Sequence, residues 1–269
     1  MASVTATEHT VIGALSGLLE PTVAIKNALQ EGRPVPRSVP ALYRGLGMNI
    51  CSMFPITATQ FGSNRFLEQA YERMTGQRPG FGGSLLVAMG AGATSALLGC
   101  PSEFIVIHQQ KTGHSLPTEA SRLLRTYGPL KLYKGLGATV IRESLYTASY
   151  LGIFPVLRDF VDQQTPVGGV PGGPLVVAGI SAGLLGATAT HPADTIKTRM
   201  QAFPDNSQAP QYRSMASTAQ HIFQTEGARG FFAGLLPRAF RISGAVIILN
   251  TARTGMVDAL QDRRMRSAL

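Results

Sequence analysis

The sequence has no tryptophan, two cysteines, and charged residues at 14% of its 269 positions, against roughly 25% in an ordinary soluble domain. Each scarcity excludes something. Two cysteines cannot build a disulfide framework, and because Cys51 and Cys100 sit in apolar runs they read as small buried residues. Charge this thin excludes a disordered chain or a coiled coil, and 30 Gly with 17 Pro in no three-residue period exclude collagen. Acid is the scarcer sign, with 15 Asp+Glu against 24 Lys+Arg and a net charge of +9. Nucleic acid is one partner for such a balance, but basic residues so sparse make a poor surface for following phosphates. A membrane is the stronger expectation. Uniformly apolar runs are scarce too, and the mean hydropathy is only +0.11, so membrane spans must be amphipathic, with polar faces turned toward a cavity. The opening MASVTATEHT has no Lys or Arg and no short apolar core before a small-residue cleavage site, so neither a secretory signal nor a transit peptide is read.

Six stretches approach the ~20 residues that a bilayer needs: Thr10 to Leu29, Leu46 to Phe66, Ser84 to Ile107, Leu136 to Leu157, Pro174 to Thr198 and Leu235 to Val257. Polar segments rich in Pro, Gly and charge separate them. Segments 31–45, 108–134 and 199–233 carry a net charge of +7, whereas 67–83 and 158–173 carry −1. One side is therefore basic, as the positive-inside rule expects of a multi-pass protein, and with an even number of spans both termini lie on the other side. Topology accounts for most of the +9, and nucleic acid falls to a minor alternative.

An internal repeat organises the whole chain. The odd stretches end in EPTVAIKNALQ, CPSEFIVIHQQ and HPADTIKTRMQ, each with a Pro (Pro21, Pro101, Pro192) and a Gln nine residues on (Gln30, Gln110, Gln201). Each even stretch opens on aromatic–x–Gly: YRG at 43–45, YKG at 133–135 and FAG at 232–234. The reading is an all-α membrane protein of three two-helix repeats about a pseudo-threefold axis, spanning 1–75, 76–165 and 166–269. A Pro within a helix removes a backbone bond, so Pro21, Pro101 and Pro192 are expected to kink the odd helices inward. Asp194 and Lys197 share a helix face with Gln201 one turn further on, a charge pair suited to closing one end of a cavity. The free N–H groups at Gly45, Gly135 and Gly234, where the even helices start, suit an anion, and lipid phosphate is the anion at that depth.

This pattern resembles the mitochondrial carrier family, whose repeat reads Pro-x-acid-x-x-base-x-base-x-Gln, followed after a matrix segment by acid-Gly-x4-aromatic-base-Gly. Copy three carries Pro192, Asp194, Lys197, Arg199, Gln201, Glu226, Gly227, Phe232 and Gly234, with Ala233 in place of the base. Copy two keeps Pro101, Glu103, Gln110, Gly128, Tyr133, Lys134 and Gly135 but has Val106 and His108 at the basic positions. Copy one keeps Pro21, Lys26, Gln30, Tyr43, Arg44 and Gly45 but has Val23 for the acid and Ala28 for the second base. The resemblance implies six transmembrane helices in the mitochondrial inner membrane, termini on the intermembrane-space side, cardiolipin at the three glycines, and exchange of small metabolites by alternating access, usually by a monomer. It also implies a matrix gate in which each copy's acid pairs with the next copy's base: Glu103 with Lys197 and Asp194 with Lys26. The third pair falls on Val23 and Val106, which are expected to touch, with Gln30 and Gln201 bracing the two charged pairs.

Departures from the pattern are informative. Gln30 to Tyr43 is 13 residues, against 23 and 31 in the other copies, so copy one, with Pro34, Pro36 and Pro40, has no room for a matrix helix. The family's second charged gate falls on Arg65 and Glu68, Pro155 and Arg158, and Thr254 and Val257: reversed, half lost and absent. Solute contacts fall seven and eight residues past the glycines, on Ser52 and Met53, Arg142 and Glu143, and Arg241 and Ile242. Ionisable groups within spans are costly and mark function. Arg142 beside Glu143 suits a zwitterion and resembles the amino-acid carriers; equally, the two neutralise each other at a helix end. Arg238 and Arg241 either serve the cavity or snorkel to the interface.

GISAG at 179–183 fits a nucleophile-elbow pattern but lies in an apolar helical run, and MGAGATS at 89–95 suggests a dinucleotide turn without its third Gly; both read as helix-packing faces. No metal-ligand spacing appears among the five His, and no metal, cofactor or catalytic nucleophile is expected. Two functions remain: a carrier exchanging a small carboxylate-bearing, amino-acid-like metabolite, or a degenerate carrier serving as an accessory subunit of a respiratory or ATP synthase complex. An enzyme is a distant third.

Overall fold

Proline and glycine punctuate a chain that is otherwise helix. The computed structural model describes residues 19–164 and 173–244, and among them there is no strand. Helix α1 (Glu20–Glu31) leads through a single turn, α2 (Val39–Leu42), into α3 (Leu46–Thr75). Helix α4 (Phe81–Thr112) is followed by α5 (Leu116–Tyr127), a 3-10 segment (Pro129–Tyr133) and α6 (Leu136–Thr147). A π-turn (Ala148–Ile153) joins α6 to α7 (Phe154–Gln164). Helix α8 (Gly173–Ala202), α9 (Met215–Glu226), a 3-10 segment (Ala228–Phe232) and α10 (235–244) complete the order. The first and last sequence stretches are thus described only from residue 19 and only to residue 244, and Thr254 and Val257 lie outside.

Among the described residues one helix, Phe81–Thr112, is both long and apolar enough to cross a membrane by composition alone. In the 30-residue α8 the charges Asp194, Lys197 and Arg199 all fall in the last third, after an uncharged first two thirds. Pro101 and Pro192 stand inside α4 and α8, where each lacks the amide hydrogen of a helix bond. Pro21 does not: it sits in the first turn of α1, where an amide hydrogen would have no helical partner anyway. An unanticipated Pro55 lies inside α3.

The linkers follow the sequence lengths. Copies two and three each have an amphipathic helix, α5 and α9, seated on an apolar cluster. The first cluster joins Phe104, Ile105, Leu123 and Leu132; the second joins Ala138, Ile196, Met200 and Ile222. In copy one the 13-residue interval leaves only α2, the counterpart of the 3-10 segments that precede α6 and α10.

Small residues let the long helices meet closely. A Cβ at Gly92 would fall 2.4 Å from the Glu143 carbonyl oxygen, and one at Gly183 would fall 2.4 Å from Ile242 Cγ2. The GAG and GISAG runs therefore work as packing faces, α4 on α6 and α8 on α10. Gly45, Gly135 and Gly234 all have left-handed φ (101°, 81° and 80°) and turn the chain into α3, α6 and α10. Their Cα atoms rest on the next copy's odd helix: a Cβ at Gly45 would meet Val106, at Gly135 Lys197 and Gln201, and at Gly234 the Lys26 carbonyl. The three units interlock by one cyclic contact, at the level of the paired charges.

Candidate functional site

A cavity of about 440 Å³ opens between α1, α6, the first part of α3, the last third of α4 and of α8, and the start of α10. Five of the six expected solute positions sit on its wall: Ser52, Met53, Arg142, Arg241 and Ile242. Arg241 is exposed on that wall. Glu143 is the exception. It does not line the cavity but lies behind Arg142, taking Arg142 Nη2 at 2.5 Å and Gln60 Nε2 at 3.2 Å. Arg142 and Glu143 pair with each other, and of the two only Arg142 faces the cavity.

Paired charges form the cavity floor. Lys26 Nζ lies 2.8 Å from Asp194 Oδ2, and Lys197 pairs with Glu103. Gln30 Nε2 donates to Asp194 Oδ2 (3.0 Å) and to Thr195 Oγ1 (3.2 Å), bracing the first pair from below. Gln201 does not brace the second: its Nε2 donates to the Cys100 carbonyl at 3.2 Å. On the remaining seam Val23 and Val106 both line the cavity, and one turn below them Asn27 Nδ2 donates to Gln110 Oε1 at 2.8 Å. A neutral hydrogen bond thus closes this seam at the level of the gate, and Lys111 Nζ faces Glu31 Oε2 at 3.9 Å further down it.

Arg142 joins wall and floor. Its Nη2 reaches Glu103 Oε1 at 2.8 Å as well as Glu143, and its Nε is 3.6 Å from Asp194 Oδ1. Arg238 does not snorkel. It is buried with Nη2 donating to Thr190 Oγ1 (2.6 Å) and Nη1 3.3 Å from Asp194. His191 Nε2 lies 2.9 Å from the Ala233 carbonyl, which can only accept, so this nitrogen carries the proton and Nδ1 turns its lone pair to Arg238 at 3.5 Å. Four cations (Lys26, Arg142, Lys197, Arg238) therefore surround three carboxylates (Glu103, Glu143, Asp194).

Sequence spacing gave Arg238 no partner and passed over Asn49, which donates to both carboxylate oxygens of Glu20 (2.8 and 3.1 Å). A signal existed. Asn49 and Arg238 each fall four residues past a repeat glycine, and Glu20 and His191 each precede a repeat Pro, so copies one and three tie their two helices at the same level. Cys51 also departs from expectation: it is exposed, while Cys100 is buried.

At the basic end Arg199 grips Glu226 with two nitrogens, and its Nε donates to the Gln30 carbonyl at 2.8 Å. The Arg199 hydrogen bonds hold the Glu226 carboxyl below its ordinary range. In copy two His108, at the position of Arg199, makes the matching contact to the Gln201 carbonyl at 3.0 Å. Lys134 donates to the Phe203 carbonyl (2.5 Å) and Asn206 Oδ1 (2.7 Å), capping the end of α8. Of the second gate, Glu68 takes a hydrogen bond from Asn64 (2.9 Å), while Arg65 is exposed. The side chains of Pro155 and Arg158 lie outside the described set.

Comparison with known proteins agrees with this architecture. A profile of the mitochondrial carrier protein family matches residues 77–164 and 171–263. The chain is 30% identical to mitochondrial substrate carrier family protein X of Dictyostelium discoideum, over 76% of this chain and 67% of that one. It is 29% identical to mitochondrial glutamate carrier 2 of Rattus norvegicus, over 75% of this chain and 72% of that one. It is 30% identical to the rat mitochondrial tricarboxylate transport protein, over 77% and 68%. With a two-thirds match to the family and the repeat's charges meeting across three interlocked helix pairs, the chain belongs to the mitochondrial carrier family.

Proposed function

We propose that the protein is a transporter, not an enzyme, with six transmembrane helices in the mitochondrial inner membrane, exchanging a small carboxylate-bearing, amino-acid-like metabolite by alternating access. The observation that carries this reading is Arg142, which lines the cavity and at the same time holds Glu103 of the floor. A solute carboxylate on Arg142 and Arg241 competes with Glu103 for the guanidinium. Its ammonium meets Glu103, whose side chain is 29% exposed, rather than the occluded Glu143. Both exchanges loosen the Glu103–Lys197 pair, so binding and opening share residues. In this reading Lys26, Glu103, Asp194, Lys197, Gln30, Gln110 and Gln201 form the matrix gate, the basic end faces the matrix, and anionic lipid such as cardiolipin meets the helix starts at Gly45, Gly135 and Gly234. Names of the relatives support the solute class: glutamate, tricarboxylate and aspartate/glutamate proteins are among them.

Uptake by purified protein in liposomes, screened with amino acids, keto acids and nucleotides, tests the reading. Saturable uptake of an amino or keto acid that is lost in both Arg142→Ala and Arg241→Ala is expected. Full transport by Arg142→Ala overturns the solute assignment. A second reading, an accessory subunit of an inner-membrane complex, is favoured by the missing helix of copy one; it wins if no solute is transported and the protein co-purifies stoichiometrically with a respiratory or ATP synthase complex.

A further inference from the structure

Copy one has lost a helix but kept the seat on which such a helix rests. Four residues past each repeat Pro stands an isoleucine: Ile25, Ile105 and Ile196. Ile105 and Ile196 are each 9% exposed and belong to the clusters under α5 and α9. Eight residues past the Pro stand Leu29, Gln109 and Met200; the last two are 6% and 5% exposed, whereas Leu29 is 40% exposed. Before the repeat aromatic stand Leu42, Leu132 and Phe231, the last two again within those clusters or packed against them. In copies two and three the plug is a fully buried side chain of the amphipathic helix, Leu123 of α5 or Ile222 of α9. Both lie ten residues before the repeat aromatic, and the same count in copy one lands on Arg33. Apolar residues stand at the floor positions of copy one, and a charged one stands at the position of the plug.

The rim has a charge. Segment 31–45 holds Arg33, Arg37 and Arg44 against the single acid Glu31, and Arg37 is exposed. Arg33 Nε is held by Glu31 at 3.0 Å, but its Nη2 is buried without a hydrogen-bond partner. Copy three shows how such a site is completed: α9 lays Ile222 on the floor and ends on Glu226, which neutralises Arg199.

We propose that Ile25, Leu29 and Leu42 form a docking seat for an amphipathic helix of a second polypeptide, about three turns long, with apolar side chains spaced three and four apart and an acid placed for Arg33 and Arg37. The partner helix restores in trans what α5 and α9 supply in cis. An acyl chain satisfies the apolar floor but offers nothing shaped to the buried Nη2, and a second copy of this chain brings a basic end to a basic rim.

The absence of tryptophan provides the test. The full chain carrying Leu29→Trp is placed in phosphatidylcholine nanodiscs, with brominated phosphatidylcholine as the quencher. The probe is a peptide of the α9 sequence, residues 214–227. The expected result is quenching of the introduced indole that the peptide relieves saturably. Arg33→Ala combined with Arg37→Ala should weaken the peptide about tenfold, and a peptide carrying Glu226→Gln should weaken comparably. Ile25→Ser, with unchanged thermal unfolding, should weaken it by a similar factor. Quenching that no concentration of peptide relieves assigns the seat to lipid and overturns the proposal, as does relief that is indifferent to the Arg and Glu changes. Self-relief on raising protein density assigns it to a second copy and overturns it too. Uptake is not the readout, so failure here is separable from failure of the solute assignment.

Discussion

Copies three and one share a plan and differ in how much charge they retain. Asp194, Lys197 and Arg199 of copy three each meet an opposite charge, in Lys26, Glu103 and Glu226. Copy one retains Lys26 alone of that series. Its Val23 stands where an acid is expected and shares the cavity wall with Val106, where the base is lost, and its Ala28 lacks both the base and the helix that would carry the acid. Charges disappear here as pairs. Stranding one buried member of a pair costs about 3–5 kcal/mol, whereas replacing both by apolar groups is often near neutral. What fills the gap is neutral hydrogen bonding, Asn27 to Gln110 on one seam and His108 to the Gln201 carbonyl on another.

That contrast is broken most directly at Asp194, which three cations surround. Asp194→Ala should destabilise by about 3–5 kcal/mol in thermal unfolding, while Val23→Ala costs roughly 1 kcal/mol. Equal effects would end the distinction between a charged and an apolar seam. Arg142→Ala comes next, with uptake down by roughly two orders of magnitude and Arg142→Lys recovering only part, because the shorter lysine has no second nitrogen to face Asp194 while the first holds Glu103 and Glu143. The comparison sharpens in a double-mutant cycle. Val23→Asp alone should destabilise the state closed at the basic end, adding Val106→Lys should restore much of it, and the coupling should be about 1–3 kcal/mol; additive effects mean the two positions do not meet.

Smaller effects lie outside the cavity. Glu226 is 41% exposed, so Glu226→Ala should cost only about 1 kcal/mol despite its two bonds to Arg199. Copy two supplies a pH test. Burial pushes the Glu119 carboxyl up, but hydrogen bonds from Arg122, His114 and Thr112 outweigh it and hold it at about 2. A carboxyl depressed on folding stabilises above its ordinary value and loses that contribution as pH falls through its folded one. Stability of α5, followed by amide exchange near Glu119, should therefore fall between roughly pH 4 and pH 2 by ~1–2 kcal/mol, and Glu119→Gln should flatten the profile. A profile unchanged by Glu119→Gln would leave the depressed carboxyl without consequence for α5.

Spacing along the chain carried a large part of this protein. Three Pro and three aromatic–x–Gly turns set the helix pairs, because each acts through its own backbone, and a Gln nine residues past each Pro marked the repeat. The pairs Asp194–Lys26 and Glu103–Lys197 came from the family resemblance, which implies that each copy's acid meets the next copy's base. The interval of 13 residues after Gln30 was legible for a simpler reason: a chain that short cannot form a 12-residue helix like α5 or α9 and still turn back to Tyr43. The tertiary structure decided the rest. Glu143 is turned to Gln60, Arg142 is shared between cavity wall and floor, and Arg238 is buried against Asp194 rather than drawn to the surface. Each depends on how far a helix is rotated about its own axis and on side chains brought by other copies, and Gly92 and Gly183 fix those rotations by letting α4 and α8 approach their neighbours' backbones and side chains within a few ångströms. A buried charge goes to whichever opposite charge the packed helices bring nearest, because the cost of leaving it unpaired exceeds any preference its place in the sequence expresses.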